Sequence, residues 1–284
     1  MILGVAAALV AATCYGFGSI LQAMAAADST VTARLDAVLL ARLLAQWRYV
    51  GGLSLDLVGF LAAVVALRTL PLFVVQAAVA SSIGVTAIAA RQLLHARFDV
   101  REQRALVGLV VGLALLGIAG RPEHAARLAE PGPLLLLGSA AVLAALVVTF
   151  TRSTSERAGV LLATGDGVAF GVVGIASRAL SVPSPAVHVL GDPLLWAILA
   201  HGGLATVLYA AALQRGRVTT VAAITFSVET VAPAAFGIAF LGDHARAGLA
   251  PVAVVGFALT VGASILLARF AEPVVPAELT AGDR

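Results

Sequence analysis

The sequence predicts an all-α polytopic membrane protein, and three observations support that class. Hydrophobic residues make up 61% of the 284 residues and charged residues only 12%, whereas soluble domains are about 45–50% apolar and about 25% charged. The apolar residues form long runs with short connections, and each run is close to the about 20 residues that cross a bilayer as a helix. The arginines lie mostly between those runs. We therefore expect a single membrane domain over residues 1–284, with no separate soluble domain.

The apolar runs predict nine transmembrane helices. The first run has no basic residue ahead of it and is longer than the core of a signal peptide, so we interpret it as a retained helix. Residues 34–48 have an amphipathic pattern that predicts an interfacial helix or, alternatively, a short tenth span. Residues 271–284 form a polar tail with two prolines. The predicted spans are 2–26, 51–67, 72–93, 103–120, 133–150, 158–180, 193–213, 218–240 and 249–270.

The basic residues predict an orientation. All 18 are arginines, and cytoplasmic loops carry the excess of basic side chains in membrane proteins. A nine-helix arrangement places thirteen on the side of the C-terminus, and a tenth span would move only the N-terminus. We therefore expect a multi-pass protein of the cytoplasmic membrane with a cytoplasmic C-terminus and no nucleic-acid partner. The five arginines on the opposite side are Arg68, Arg121, Arg127, Arg178 and Arg246.

An internal repeat is the next signal. Residues 58–98 align with 204–244 at a constant offset, which places Ser81 opposite Ser227. We expect a first repeat over 2–120, a connecting helix at 133–150 and a second repeat over 158–270, with the single connecting helix inverting the second repeat. Inverted repeats are the architecture of many secondary transporters, which bind substrate near the midplane. The alternative is a chance alignment of alanine- and leucine-rich helices.

Glu229 lies near the middle of the span 218–240 and is the main candidate functional residue. An ionisable side chain at that depth costs about 3 kcal/mol, so it is by default a functional-site hypothesis. Pro233 follows four residues later and removes the amide that would donate to the Glu229 carbonyl, which predicts a kink and a hinge. The alternative is a neutral glutamic acid that hydrogen-bonds to a neighbouring helix.

Other polar residues inside the spans extend this hypothesis. Asp56 and Asp166 would form the inner half of a proton or ion path and His201 the outer half, because carboxyl and imidazole groups can bind and release protons. Each also has a structural reading: Asp56 at the headgroups, Asp166 as a local hydrogen-bond acceptor and His201 as a filler of a packing gap. The neutral groups that could supply oxygen ligands are Thr225, Ser227, Ser81 and Gln76.

Two motif regions carry a resemblance to a known group of proteins. The second repeat ends in Leu241-Gly242-Asp243, where His95-Ala96-Arg97 stands in the first. This layout resembles the EamA-like folds of the drug/metabolite transporter superfamily, whose repeats tend to end in an LGE motif. A narrower likeness, to the NIPA-type magnesium transporters, is carried by Gly18-Ser19, Trp47, Gly52, Gly59, Pro71 and Val75.

The narrower resemblance has clear departures. It implies an acid in the second helix where this chain has Phe60, and lysines where it has Gln22 to Ala27. Asp56 lies one turn from Phe60 and is the candidate substitute. Magnesium would require hard oxygen ligands, and the sequence leaves open whether a metal site exists.

The predicted function is that of a secondary transporter of this superfamily. It would move a small metabolite or a cation by alternating access, coupled to protons, across the bilayer that surrounds it. The alternatives are a NIPA-like magnesium transporter and a non-transporting membrane scaffold. We expect that the protein is not an enzyme and binds no cofactor, because the chain has no HExxH, GxSxG, cysteine pair or phosphate loop. The oligomeric state, monomer or homodimer, stays open.

Overall fold

A computed structural model describes residues 2–27, 46–93, 99–122, 128–150, 155–181, 185–215 and 218–270. Nine helical spans in this part of the chain are long and apolar enough to cross a membrane, which confirms the predicted all-α polytopic class. The helices are α1 Ile2–Ala27, α2 Trp47–Leu67, α3 Leu72–Ala80, α4 Ser82–Leu93, α5 Val100–Ala119, α6 Gly132–Phe150, α7 Glu156–Ala179, α8 Pro193–Leu213, α9 Val218–Phe240 and α10 Ala250–Phe270. A short 3₁₀ helix, Ala186–Gly191, precedes α8.

The helix bounds follow the predicted spans within a few residues: α2, α5 and α7 begin earlier than predicted, at Trp47, Val100 and Glu156, and α8 begins at Pro193 as predicted. At α5, Asp99 and Glu102 form a capping box that adds a polar first turn to the apolar run. At α7 the Ser155 hydroxyl accepts a hydrogen bond from the Ala158 amide, and at α8 Asp192 accepts one from the Leu194 amide. The amphipathic segment 34–48 lies largely outside the described residues, as does the polar tail. The question of a tenth span therefore stays a prediction.

The span predicted over 72–93 is interrupted, and this is the main local difference from the sequence reading. Helix α3 ends at Ala80 and α4 begins at Ser82. At the break the Ser81 hydroxyl donates to the Ala78 carbonyl, and Ser264 of α10 donates to the Ala80 carbonyl at 3.0 Å. Hydroxyl donors of this kind satisfy the carbonyls that a break exposes in an apolar environment. In contrast, α9 runs through Pro233 without interruption, so the predicted hinge there stays a prediction.

Helix packing follows the same order in the two predicted repeats. Helix α1 packs on α2 and on the α3–α4 pair, and α7 packs correspondingly on α8 and α9. The last helices of the two repeats, α5 and α10, pack on each other, with Gly112 and Gly256 at the contact. A Cβ atom added to either glycine would lie within 3.0 Å of the other helix's backbone, so small residues permit this close approach. The equivalence of the contacts supports the repeat, which stays a prediction.

The contacts that α2 and α3 make with the second predicted repeat lie toward one end of the bundle, whereas α5 and α10 pack on each other from the middle of the bundle to the opposite end. Helix α3 packs against α7 and α9, and α2 packs against α7, whereas α4 packs on α1 and α10. A large apolar cluster, including Ala66, Leu72, Leu180 and Leu241, fills this end. We call it the Arg178 end, and the end where α5 begins the Asp99 end. The connecting helix α6 lies at the edge of the bundle, with Leu143 its one buried described residue.

A buried group of polar contacts, here named the Arg178 cluster, joins the two predicted repeats at this end. Arg178 at the end of α7 forms an ion pair of 2.7 Å with Asp243, and both side chains are fully buried. The guanidinium also donates to the Leu67 carbonyl at the end of α2. The second Asp243 oxygen accepts from the Leu72 amide at 2.6 Å. Asp243 therefore caps the N-terminus of α3 from the other repeat.

The motif Leu241-Gly242-Asp243 has a defined structural role in this cluster. Gly242 adopts a φ of 71°, a conformation that glycine reaches without steric cost. The turn brings the Asp243 amide to the Gly237 carbonyl at 3.0 Å and closes the C-terminus of α9, as glycine C-caps do. Nearby, Arg68 donates to the Leu180 carbonyl. Burial, and then the charge of Arg178, lowers the pKa of the Arg68 guanidinium.

Candidate functional site

A cavity of about 100 Å³ lies between the two predicted repeats. It extends along α7 from Phe170 to Ser177, a rise of about 10 Å, and so lies between the middle of the bundle and the Arg178 cluster. Five helices contribute its wall, which is mostly apolar and aromatic. The lining residues are Tyr15, Phe60, Ala63, Val64, Leu67, Val75, Gln76, Val79, Phe170, Val173, Gly174, Ser177 and Glu229.

Glu229 supplies the one carboxylate of this wall, and it comes from α9. Its position depends on the close approach of α9 to α7 at Gly167. A Cβ atom at Gly167 would lie 2.7 Å from the Val228 Cβ and 3.1 Å from the Glu229 nitrogen. One turn beyond, Gly171 faces the ring of Pro233. Glycines in α7 therefore let α9 bring its acidic residue to the cavity, and Glu229 itself is partly buried.

A second acid, Asp166, lies on α7 within electrostatic range of Glu229. Its side chain is fully buried. One oxygen accepts a hydrogen bond of 2.9 Å from the Thr225 hydroxyl, and the other has no hydrogen-bond partner among the described residues. Tyr209 of α8 lies within electrostatic range of both acids. The structure thus brings three predicted residues together, Asp166, Thr225 and Glu229; we name this group the acid pair with its threonine.

The polar groups of the cavity wall differ in how they are held. Gln76 was a predicted site residue, and its amide nitrogen would lie 2.2 Å from a Cβ atom at Gly174, so that glycine makes room for the amide. Tyr15 lies within electrostatic range of Glu229. Ser177 is 1% exposed, and its hydroxyl has no hydrogen-bond partner in the described part of the chain. Buried hydroxyls are normally paired, so this unpaired group calls for an explanation.

The remaining predicted residues lie outside the cavity wall. Asp56 accepts a hydrogen bond of 2.5 Å from Gln22, between α2 and α1. The His201 ring contacts the Ser139 hydroxyl at 2.9 Å and the Ala197 carbonyl at 2.8 Å, between α8 and α6. The Ser227 hydroxyl donates to Ala223 of its own helix. Ser81 occupies the break between α3 and α4. None of these groups lines the cavity with Glu229, and the one that approaches it is Asp56, since Tyr15 of the wall lies within electrostatic range of both Asp56 and Glu229.

Three features of the site were missing from the sequence reading. Tyr15 and Ser177 were not singled out as site residues, and Arg178 was counted only among the arginines that orient the protein, although its side chain is fully buried. The sequence did contain a signal for the burial of Arg178. This arginine lies just inside the end of an apolar span, and an acid follows the predicted span 218–240. Phe60, where the magnesium resemblance implies an acid, lines the cavity.

The part of the chain that the structure describes contains no group of three or more His, Cys, Asp and Glu side chains placed to hold a metal ion. Comparison of the chain with protein-family profiles, with curated proteins and with solved structures finds no match.

Proposed function

We propose that the protein is a secondary transporter that moves a small metabolite or cation by alternating access, coupled to protons. The observation that carries this proposal is the cavity between the predicted repeats, with Glu229 in its wall and Asp166 beside it. A site between repeats near the midplane is where such transporters bind substrate. Carboxyl groups held there in a low-dielectric environment are suited to exchange a proton for another charge.

The two acids have the properties that coupling requires. A second carboxyl in electrostatic range makes it costly for both to be charged at once, since like charges disfavour each other's ionised form. No basic side chain is among the residues of the cavity wall. In this arrangement the charge of Glu229 is balanced by a proton or by a cationic ligand, and either can displace the other. Thr225 holds Asp166 by its hydroxyl while the second Asp166 oxygen is free to take a proton.

Alternating access requires one end of the cavity to close while the other opens. The contacts of α2 and α3 with α7 and α9 and the Arg178 cluster join the repeats at one end. We propose that this end faces the outside of the cytoplasmic membrane, because the arginine count predicts a cytoplasmic C-terminus. Exchange of access would then break the Arg178 cluster and close the cavity toward the Asp99 end, while α5 and α10, which already pack on each other there through Ala105, Leu109, Ala263 and Leu267, stay in contact.

The test is transport by the purified protein in proteoliposomes. Internal pH is followed with a dye while a metabolite mixture, or magnesium alone, is applied across the membrane. We expect pH changes that depend on the added solute and are lost in Glu229→Gln. The matched control is Glu130→Gln, the same chemical change at an exposed acid.

The other outcomes separate the alternatives. Magnesium flux that is lost in Glu229→Gln would favour a magnesium transporter. If folded and inserted protein gives neither a pH change nor solute flux under any condition, the result would contradict transport and favour a membrane scaffold. A rate and pH dependence unchanged in Glu229→Gln would remove the acid pair from the mechanism.

A further inference from the structure

We infer that the cavity takes a small organic cation, with an ammonium group at Glu229 and an apolar body between the aromatic side chains. This inference rests on the proposed function and specifies its substrate class. It is carried by the composition of the wall, by its length and by the unpaired hydroxyl at its far end. A neutral metabolite and a hydrated metal ion are the competing classes.

The charge of the ligand follows from what surrounds Glu229. The wall offers one carboxylate and no basic residue, and the nearest second acid, Asp166, adds a further negative charge. A buried charge is costly unless it is paired. A ligand that carries a positive charge supplies the pair, whereas a neutral ligand of the same size leaves the carboxylate unpaired.

The body of the ligand follows from the rest of the wall. Tyr15, Phe60 and Phe170 line the same small cavity, together with aliphatic side chains. Aromatic faces attract ammonium groups and accept apolar chains. Magnesium usually retains several waters and needs oxygen ligands, which an aromatic wall does not supply. A volume of about 100 Å³ is several times the about 10–15 Å³ that one water requires, so the cavity has room for a compact organic molecule. The wall therefore fits a compact organic cation of a few non-hydrogen atoms better than a hydrated ion.

The far end of the cavity carries a second polar requirement. Ser177 lies at one end of the part of α7 that lines the cavity, about 10 Å from Phe170 at the other end. Its hydroxyl is buried without a partner among the described residues and lines the cavity. Gln76 lies between the two ends, next to Gly174. An extended amine with a terminal hydroxyl would satisfy the carboxylate and the serine together.

The experiment is calorimetric titration of the purified protein with four probes: n-butylammonium, butan-1-ol, 4-aminobutan-1-ol and magnesium. Butan-1-ol matches n-butylammonium in its number of non-hydrogen atoms and lacks the charge. We expect n-butylammonium to bind, butan-1-ol and magnesium to bind at least about tenfold more weakly, and 4-aminobutan-1-ol to bind roughly fivefold more tightly than n-butylammonium. Binding of butan-1-ol equal to that of n-butylammonium, or a preference for magnesium, would overturn the inference.

Variants assign the binding to this cavity. Glu229→Gln should weaken n-butylammonium at least about tenfold, and Ser177→Ala should remove the advantage of the hydroxylated amine alone. Phe60→Leu, a change between apolar side chains, should weaken n-butylammonium about two- to fivefold and leave butan-1-ol unchanged. It keeps the test decisive if Glu229→Gln fails to fold. Glu130→Gln is the matched control, and equal binding by all variants would place the ligand elsewhere.

The outcome is separable from that of the transport test. Absence of amine binding together with Glu229-dependent flux of another solute would overturn the substrate class and leave the transporter standing. Amine binding without any flux would support the site and contradict transport.

Discussion

Two regions of the molecule bury acidic side chains, and they treat them in opposite ways. In the Arg178 cluster both oxygens of Asp243 have partners, the guanidinium of Arg178 and the Leu72 amide. In the acid pair with its threonine, one oxygen of Asp166 accepts from Thr225, the other has no partner among the described residues, and the neighbouring charge is a second acid. Asp243 and Asp166 are both fully buried.

The difference indicates that the Arg178 cluster holds helices together, whereas the acid pair with its threonine is suited to exchange a proton or a cation. We call the second region the exchange site. A buried acid with a complete set of donors and a cation fixes the segments that supply them, here the ends of α2 and α7, the start of α3 and the turn after α9. A buried acid with an incomplete set retains the capacity to take a proton or a cation from outside the protein. The two regions should therefore respond differently to the loss of a charge.

The largest effect on stability is expected at the Arg178 cluster. Arg178→Met leaves Asp243 as an uncompensated buried charge, and breaking a buried pair in this way costs about 3–5 kcal/mol. We expect a marked fall in the thermal unfolding temperature of the purified protein. Arg269→Met, the same change at an exposed position, is the control. An unchanged unfolding temperature in Arg178→Met would show that the Arg178 cluster does not hold the repeats together.

The next largest effect is expected in the pH dependence of ligand affinity at the exchange site. Lowering the pH adds a proton to Glu229 and removes the charge that a cationic ligand needs, so affinity should fall as the pH falls. The limit is about tenfold per pH unit for each proton displaced. The titratable groups in electrostatic range of Glu229 are Tyr15, Asp166 and Tyr209. Calorimetric titration of n-butylammonium at several pH values measures the slope, which Glu229→Gln should reduce and a pH-independent affinity would contradict.

A smaller effect is expected at the contact between α6 and α8. Ser139→Ala removes the hydroxyl that contacts the His201 ring, and one hydrogen bond contributes about 0.5–1.5 kcal/mol. We expect a modest fall in the unfolding temperature with unchanged flux and unchanged pH dependence. A change in the pH dependence of flux would instead restore His201 to a proton path, as the sequence reading had it.

The smallest effect on stability is expected for Glu229→Gln. No basic side chain of the cavity wall loses a partner, and the amide relieves repulsion with Asp166, so the unfolding temperature should be unchanged or raised. The same variant should lose flux, which separates function from stability at one residue. A loss of stability as large as that of Arg178→Met would mean that the two regions do not differ as described.

The spans were predictable from sequence because bilayer crossing imposes a length and an apolar composition on each helix separately. The choice of Glu229 as a candidate was possible for the same reason, since the position of an acid in the middle of a span is recognised without knowledge of its neighbours. The break at Ser81 was not, because neither proline nor glycine lies there and the Ser264 hydroxyl that covers the Ala80 carbonyl comes from α10.

Partners across the bundle account for the other differences. Depth along a helix is readable from sequence, but the face that a side chain presents is not when the whole helix is apolar. Asp56 faces Gln22 of α1, and His201 faces Ser139 of α6, so neither joins Glu229 despite suitable depth. Arg178 and Asp243 are 65 residues apart in sequence. The sequence analysis counted Arg178 only toward membrane orientation and Asp243 only as part of the Leu241-Gly242-Asp243 motif, so it did not pair them.

The interruption at Ser81 makes the two halves of the protein mechanically unequal. The first predicted repeat has two helices, α3 and α4, that meet at Ser81 in a right-handed helical conformation, where the second predicted repeat has one long helix, α9, with Pro233 inside it. A joint between rods can bend at one point, whereas a continuous helix distributes its bending over several turns. If the predicted repeats exchange roles in the proposed transport cycle, we expect the two end states to differ at this pair of elements. The side that closes by bending the joint and the side that closes by flexing α9 should then do so at different rates.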